Sequence, residues 1–357
     1  MDFALTEAQQ DLAGLTRRIL ADRAAPPGPP GTGGFDADLW RALAKAGIVD
    51  AALPSSVGGG GFGLLEQCSV LIEVGRAVAP VPYLHSVTMA AAALAEFGAG
   101  EQIEHWVVPV VRGERVLTAV LPDAGAPCGF TAERSGGGWR VSGAQTAVGF
   151  AAFANGFLVP ASTSEGVAVF LFDQAEVSAQ RTVDHADAGL VELTDAEPAS
   201  MLGAPGAGVD DWLRRRGTVG LCAQQLGVLE RALESTAAYA REREQFGHVI
   251  GSFQAVRQRL ADAYIDVEAV RLTLWQAAWR LVDGHPADEE VATAKFWAAD
   301  AGHRVAHTAV HIHGGVGIDV DHPLHRYFVA AKRLEFALGG ATAQLRALGA
   351  HLATSPA

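Results

Sequence analysis

The chain is predicted to be mainly α-helical with one small β domain, in the order α, β, α. Three observations predict this. Apolar residues recur at helical spacing up to about residue 115. Short β-rich runs between turn residues then follow to about residue 200. From Ala207 the helical period returns and persists, broken only at turns that contain glycine or proline.

Residues 5–24 read as a helix. Thr6 is placed to cap it with Gln9 three residues on, and Leu12, Leu15 and Ile19 follow on one face. The run Pro26–Gly34 breaks the chain, and Asp36 caps a helix carrying Leu39, Leu43 and Ala46. Gly58–Gly61 is a loop between helices, with 63–77 and 82–97 helical again. Strand-like runs follow at 116–121, 139–143, 156–159 and 167–172. Four long helices are expected at about 208–243, 252–283, 287–312 and 323–350, an antiparallel four-helix bundle. The expected domains are 1–114 (helical), 115–202 (a β-barrel or sandwich) and 203–357 (the bundle).

The 357 residues are enough for several domains with substantial cores. A net charge of −13 argues against a general nucleic-acid or anionic-membrane binder, because both need a basic surface. The triplet Arg214, Arg215, Arg216 leaves a local basic patch open. Cys68, Cys128 and Cys222 lie far apart without a zinc, redox or disulfide pattern, which suits a reducing cytosol. The N-terminus lacks a signal-peptide pattern, and no apolar run is long enough to span a bilayer. The expected location is cytoplasmic.

Two motifs carry most of the functional information. One is Arg241-Glu-Arg-Glu-Gln-Phe-Gly247, at the end of the first bundle helix. The other is His311-Ile-His-Gly-Gly-Val-Gly317, about 70 residues later. With Pro54–Gly63, Glu73-Val-Gly-Arg76, Gly143-Ala-Gln145 and Phe253-Gln-Ala255, they form an ordered set over nearly the whole chain. This set resembles the acyl-CoA dehydrogenase family.

That resemblance implies FAD, the desaturation of an acyl-CoA at its α,β carbons, and electron exit through an electron-transfer flavoprotein. It also implies that FAD is shared between subunits, with its adenosine-pyrophosphate end on a neighbour's bundle. Arg243 would then pair with the pyrophosphate of a partner's FAD, and Phe246 would pack on that cofactor. Gln245 falls within the same motif. His311 stands where the family usually has glutamine and would hydrogen-bond the cofactor, while Gly314 and Gly315 would let backbone approach it.

The same comparison exposes departures. The family's reaction needs a carboxylate to take the α-proton. Counting from Gly314-Gly315, that position is Leu338; the alternative position, on the first bundle helix, is Gly217. Neither residue accepts a proton. Glu335 is the nearest carboxylate to the first position, and Asp210 and Asp211 lie about two turns from the second. The stretch expected to hydrogen-bond the flavin ring is Val120–Pro127 and lacks the family's threonine. The segment expected to flank the ring is Ala147-Val-Gly149 instead of Trp-x-Thr.

The catalytic half is thus depleted while the half serving a neighbour is kept. This favours a base-lacking subunit of a heteromeric α2β2 acyl-CoA dehydrogenase, of the kind the family uses on steroid side-chain CoA thioesters. Its partner would be a second acyl-CoA dehydrogenase-like subunit. Three readings stay open beside it: a self-sufficient homo-oligomer with a relocated base such as Glu335, a non-catalytic structural partner, and another flavoprotein chemistry on this scaffold.

Several motifs have plainer readings. Arg241–Glu244, taken alone, is a solvated helix end. His303, His307 and His311 share a helical face, but no carboxylate or cysteine joins them at ligand spacing, so no metal is expected. Ser55, Ser56 and Ser252 lack a nucleophile elbow, and Gly58–Gly61 is not a phosphate loop. Trp40, Trp106, Trp275, Trp279 and Trp297 read as core. Arg326 reads as either a subunit contact or a solvated charge.

Overall fold

The computed structural model describes residues 3–23 and 34–354. The fold is helical at both ends with a mixed β-sheet between, as the periodicity predicts. All of the predicted break Pro26–Gly34 except Gly34 lies outside the described residues.

The first segment contains α1 (Glu7–Arg23), α2 (Ala37–Lys45), α3 (Ile48–Ala51) and α4 (Leu64–Ala77). The predicted caps form. Thr6 Oγ1 accepts from Gln9 N while Gln9 Oε1 accepts from Thr6 N, and Asp36 Oδ1 accepts from Leu39 N at 2.8 Å. Residues 82–97, expected as one helix, differ: Tyr83–Ala91 is π-helical and only then continues as α5 (Ala92–Phe97). Apolar periodicity does not separate these two helix types, and π segments are uncommon. The segment ends with α6 (Gly100–Gln102) and α7 (Val108–Val111).

The middle segment is one mixed eight-stranded sheet. Its strands are β1 (Leu117–Ala119), β2 (Phe130–Ser135), β3 (Gly138–Gly149), β4 (Gly156–Thr163), β5 (Gly166–Phe172), β6 (Glu176–Gln180), β7 (Ala188–Ala196) and β8 (Ser200–Leu202). Their order is β6-β7-β3-β2-β4-β5-β8, with β1 beside β4. β3 and β5 are three steps apart, about 14 Å in a flat sheet. Yet the rings of Trp139 and Phe170 meet at 5.5 Å, so the sheet curls over its own core.

The last segment is the bundle: α8 (Val209–Glu242), α9 (Gln254–Val282), α10 (Asp288–His313), α11 (Leu324–Phe336) and α12 (Ala341–Thr354). A short hairpin of β9 (Glu244–Gln245) and β10 (His248–Val249) joins α8 to α9. The fourth predicted helix is therefore two helices. They are separated by Leu338 and Gly339, both at positive φ (54° and 94°). Polar side chains hold this break from within. Lys295 Nζ donates to Leu334 O and Glu335 O at 2.9 and 3.0 Å, and the Gln344 amide donates to Leu338 O and Gly339 O.

The long helix α8 crosses α4 with backbones nearly touching. A Cβ on Gly227 would lie 1.9 Å from Ile72 O, and one on Gly75 would lie 2.1 Å from Gln224 O. Arg76 locks the crossing, bonding Glu230 and Glu234 at 2.7 Å each. Trp40, Trp106 and Trp275 are buried, as predicted; Trp279 and Trp297 are only partly buried. No helix among the described residues is long and apolar enough to cross a membrane.

Candidate functional site

The two functional motifs meet at one end of the bundle. α8 and α10 end side by side, and Tyr239 stacks on His313 with ring centroids 4.3 Å apart and planes 16° apart. This places Arg243, the residue that ends α8, near Gly314, the residue that ends α10. His313 Nδ1 lies 2.9 Å from Ala309 O, and burial lowers the ring's pKa, so His313 serves as neutral packing.

Every residue from Arg241 to Val249 is exposed. Arg243 makes no ion pair among the described residues. Phe246 sits at the hairpin tip, 90% exposed, with φ 56°, and Gly247 follows at φ 75°. This is the left-handed pair that a tight hairpin turn needs, but it is unfavourable for phenylalanine. Its only ring neighbour among the described residues is Phe253, edge-on at 6.4 Å. The Gln245 amide bonds back to Glu244 O, leaving this motif turned outward. His311, Gly314 and Gly315 are also exposed. A Cβ on Gly315 would meet nothing within 4 Å, so the chain's own packing does not require glycine there.

A separate cavity of about 360 Å³ lies where the first helical segment, the sheet and the bundle meet. The sequence departures converge on it: Leu121 and Asp123, the bulged strand end Ala147-Val148-Gly149, and Leu338 all line its wall. The π-helical stretch adds Leu84, His85 and Met89. Ala147 has φ 58° within the bulge, and its N–H is already donated to Gln180 Oε1 at 2.7 Å.

The two positions expected to carry the base prove to be neighbours. A Cβ on Gly217 would lie 2.8 Å from Met89 Sδ and 3.3 Å from Leu338 Cδ1. A thioether and an aliphatic side chain therefore occupy the place where either carboxylate would reach.

Glu335 is no nearer to serving. It does not line the cavity. Its carboxylate is held by Lys332 Nζ at 2.5 Å and lies 3.4 Å from His303 Nδ1. Asp210 and Asp211 do not line it either.

The histidine stripe borders a wide groove between α9 and α10. There His303 Nδ1 lies 2.9 Å from Lys332 Nζ, an ammonium that would oppose a bound cation. The three consecutive arginines form no patch. Arg214 donates to Pro122 O, Arg215 pairs with Asp288, and Arg216 donates to Thr88 O and Gln67 Oε1. Arg326 is neither a solvated charge nor a free contact: it donates to Ala77 O and Val78 O, closing the end of α4.

Residues 6–114 match the acyl-CoA dehydrogenase N-terminal domain family, and residues 214–353 match its C-terminal domain family. Acyl-CoA dehydrogenase FadE27 of Mycobacterium tuberculosis is 50% identical over 373 residues, with all of both chains covered. The chain belongs to the acyl-CoA dehydrogenase family. Among solved structures, a chain of the ChsE4-ChsE5 complex from Mycobacterium tuberculosis superposes with TM-score 0.94 at 51% identity, covering all of both chains. A chain of the Tcur3481-Tcur3483 steroid ACAD G363A variant matches with TM-score 0.90 at 40% identity, covering 98% of this chain and 99% of that one.

Acyl-CoA dehydrogenases are FAD-dependent oxidoreductases acting on CH–CH groups, so this chain's fit to FAD can be tested at both places. The residues at the Arg243 end fit the cofactor's diphosphate. They supply an unpaired guanidinium, an uncovered aromatic ring and glycine backbone that nothing obstructs. The cavity wall is mixed: Ala147, Val148 and Gly149 offer no side-chain donor, while Gln145, Thr146, Thr182, Lys332 and Arg333 carry donors. His85, Met89, Asp187 and Lys295 carry no local motif and were not legible in the sequence; only the assembled fold brings them to this region.

Proposed function

We propose that this chain is the base-lacking subunit of a heteromeric acyl-CoA dehydrogenase and completes the FAD site of its partner. One observation carries the reading. Gly217 lies in α8 and Arg243 caps its end 26 positions on, about 39 Å at 1.5 Å per residue. That exceeds the reach of an extended dinucleotide. Arg243 therefore belongs to a cofactor whose flavin ring sits in another chain, and the missing base excludes a second copy of this chain as the catalytic one.

In this assembly Arg243 forms charge-assisted hydrogen bonds to the diphosphate, and Phe246 loses its exposure by packing on the cofactor or its holder. His311 contributes a ring nitrogen, and Gly314 and Gly315 allow close backbone approach. Gln245 supplies an amide from the same hairpin. FAD, when bound, supplies the hydride-accepting ring. The partner supplies the carboxylate that removes the α-proton and the walls that orient the thioester.

A steroid side-chain CoA thioester is the substrate class this reading favours, supported by the relative described as a steroid ACAD. An electron-transfer flavoprotein is the expected electron acceptor. Separate expression of the chain tests the proposal. It should bind FAD poorly and fail to reduce it with an acyl-CoA, then gain both properties with its partner. A homo-oligomer of this chain that reduces FAD with an acyl-CoA overturns the reading.

A further inference from the structure

We propose that the outward face of α9 is an interface between two copies of this chain, so that the assembly is built around a central pair of this subunit. The inference goes beyond the cofactor reading and does not depend on it.

One side of α9 is committed to the bundle: Ala263, Val267, Val270, Leu274 and Ala277 are buried there. The opposite side carries Gln254, Gln258, Ala261, Ile265, Leu272 and Gln276, all exposed and spaced by three, four or seven residues. Glu268 interrupts the row, but its carboxylate is bonded to Arg271. A helix face that meets water normally carries charged residues. Uncharged side chains at this spacing are what one helix presents to another. Ile265 is 64% exposed and Leu272 47%, so two branched aliphatic side chains of this row lie bare.

The charges beside the row select the occupant. Ile265 also borders the groove between α9 and α10, together with Arg259 and Asp262. Arg304 and Asp266 already pair across that groove. Arg259 and Asp262 have no ion pair among the described residues. They are opposite charges about one turn apart, a self-complementary arrangement. A twofold axis between them sets Arg259 of each copy against Asp262 of the other, giving two equivalent pairs. An identical chain therefore supplies both missing counter-charges. Ala261 lies beside that axis, and its methyl group lets two helices approach closely.

The test uses the full chain together with the subunit that co-purifies with it. A Cys128→Ser background is used, since Cys68 and Cys222 are buried and Cys128 is not. Ala261→Cys treated with a short bis-maleimide should give a covalent dimer of this chain. Gln276→Cys, about 23 Å along the helix from the axis, should not. Ile265→Asp should halve the mass of the complex in sedimentation equilibrium, while FAD content per pair of unlike subunits stays the same. Arg259→Asp should weaken association of the two halves about tenfold, and adding Asp262→Arg should restore it.

Cross-linking of Ala261→Cys to the co-purifying subunit alone, absence of a dimer of this chain, or a mass unchanged by Ile265→Asp overturns the proposal. A charge-swapped double variant no tighter than Arg259→Asp overturns it as well. If Ile265→Asp does not fold, the cross-link and the charge swap still decide. The two readings fail separately. An isolated chain that reduces FAD with an acyl-CoA rejects the base-lacking subunit and leaves this interface standing. Loss of the dimer with FAD still retained through Arg243 rejects the interface alone.

Discussion

Replacing Arg243 with alanine separates cofactor sharing from a merely structural role. Arg243 is exposed and makes no ion pair among the described residues, so the chain's own stability should change by less than about 0.5 kcal/mol. On the proposed assignment the guanidinium faces a diphosphate in the complex, and each charge-assisted hydrogen bond lost costs about 1.5–3 kcal/mol. The FAD dissociation constant should therefore rise by about 10- to 150-fold. Flavin retained after gel filtration, together with fluorescence titration of the apo-complex, measures this directly. Circular dichroism and the denaturation midpoint act as controls. FAD affinity within about twofold of the parent, with an intact complex, would refute the assignment and leave the chain as a scaffold.

Four further outcomes are expected. Phe246→Ala should leave the isolated chain's stability nearly unchanged, since a 90% exposed ring at φ 56° has only the edge-on contact with Phe253 to lose; FAD retention by the complex should fall. Gly227→Ala should destabilise the α4–α8 crossing by more than about 3 kcal/mol, read from chemical denaturation, because the contact is with backbone and cannot yield. Arg76→Ala removes the clamp on Glu230 and Glu234 but leaves Glu230 paired with Arg271, and should cost about 1–2 kcal/mol. His85 has a folded pKa near 4 against an ordinary 6.5, so below 6.5 the unfolded chain binds a proton that the folded chain refuses. Stability should fall as pH drops from 6.5 to 4, by about 3 kcal/mol from this group. His85→Leu should flatten that fall, with a residue left by His307 and His313, whose pKa values are also lowered.

Local signals in the sequence were accurate where the physics is local. The caps at Thr6 and Asp36 involve residues three apart, and both form as read. The long bundle helices are dominated by their own apolar faces. Strands fared less well: β2, β6, β7 and β8 were not identified, because the first two are largely exposed and all four gain their pairing only from the strands beside them. The π-helical turn and the break at Leu338 were missed for a related reason. Both are held by distant groups, such as Lys295 some 40 residues from the carbonyls it binds.

By itself the sequence determined the order of helical and β segments, the family resemblance, and that Leu338 and Gly217 stand where the resemblance places the base. These depend on residue identity and periodicity along the chain. Only the tertiary structure decided that Leu338, Gly217 and Met89 fill one spot, and that Glu335 is committed to Lys332. It alone left the hairpin after α8 uncovered, with Phe246 exposed at its tip. Packing creates those relations between residues remote in sequence, and no local spacing encodes a distance through space.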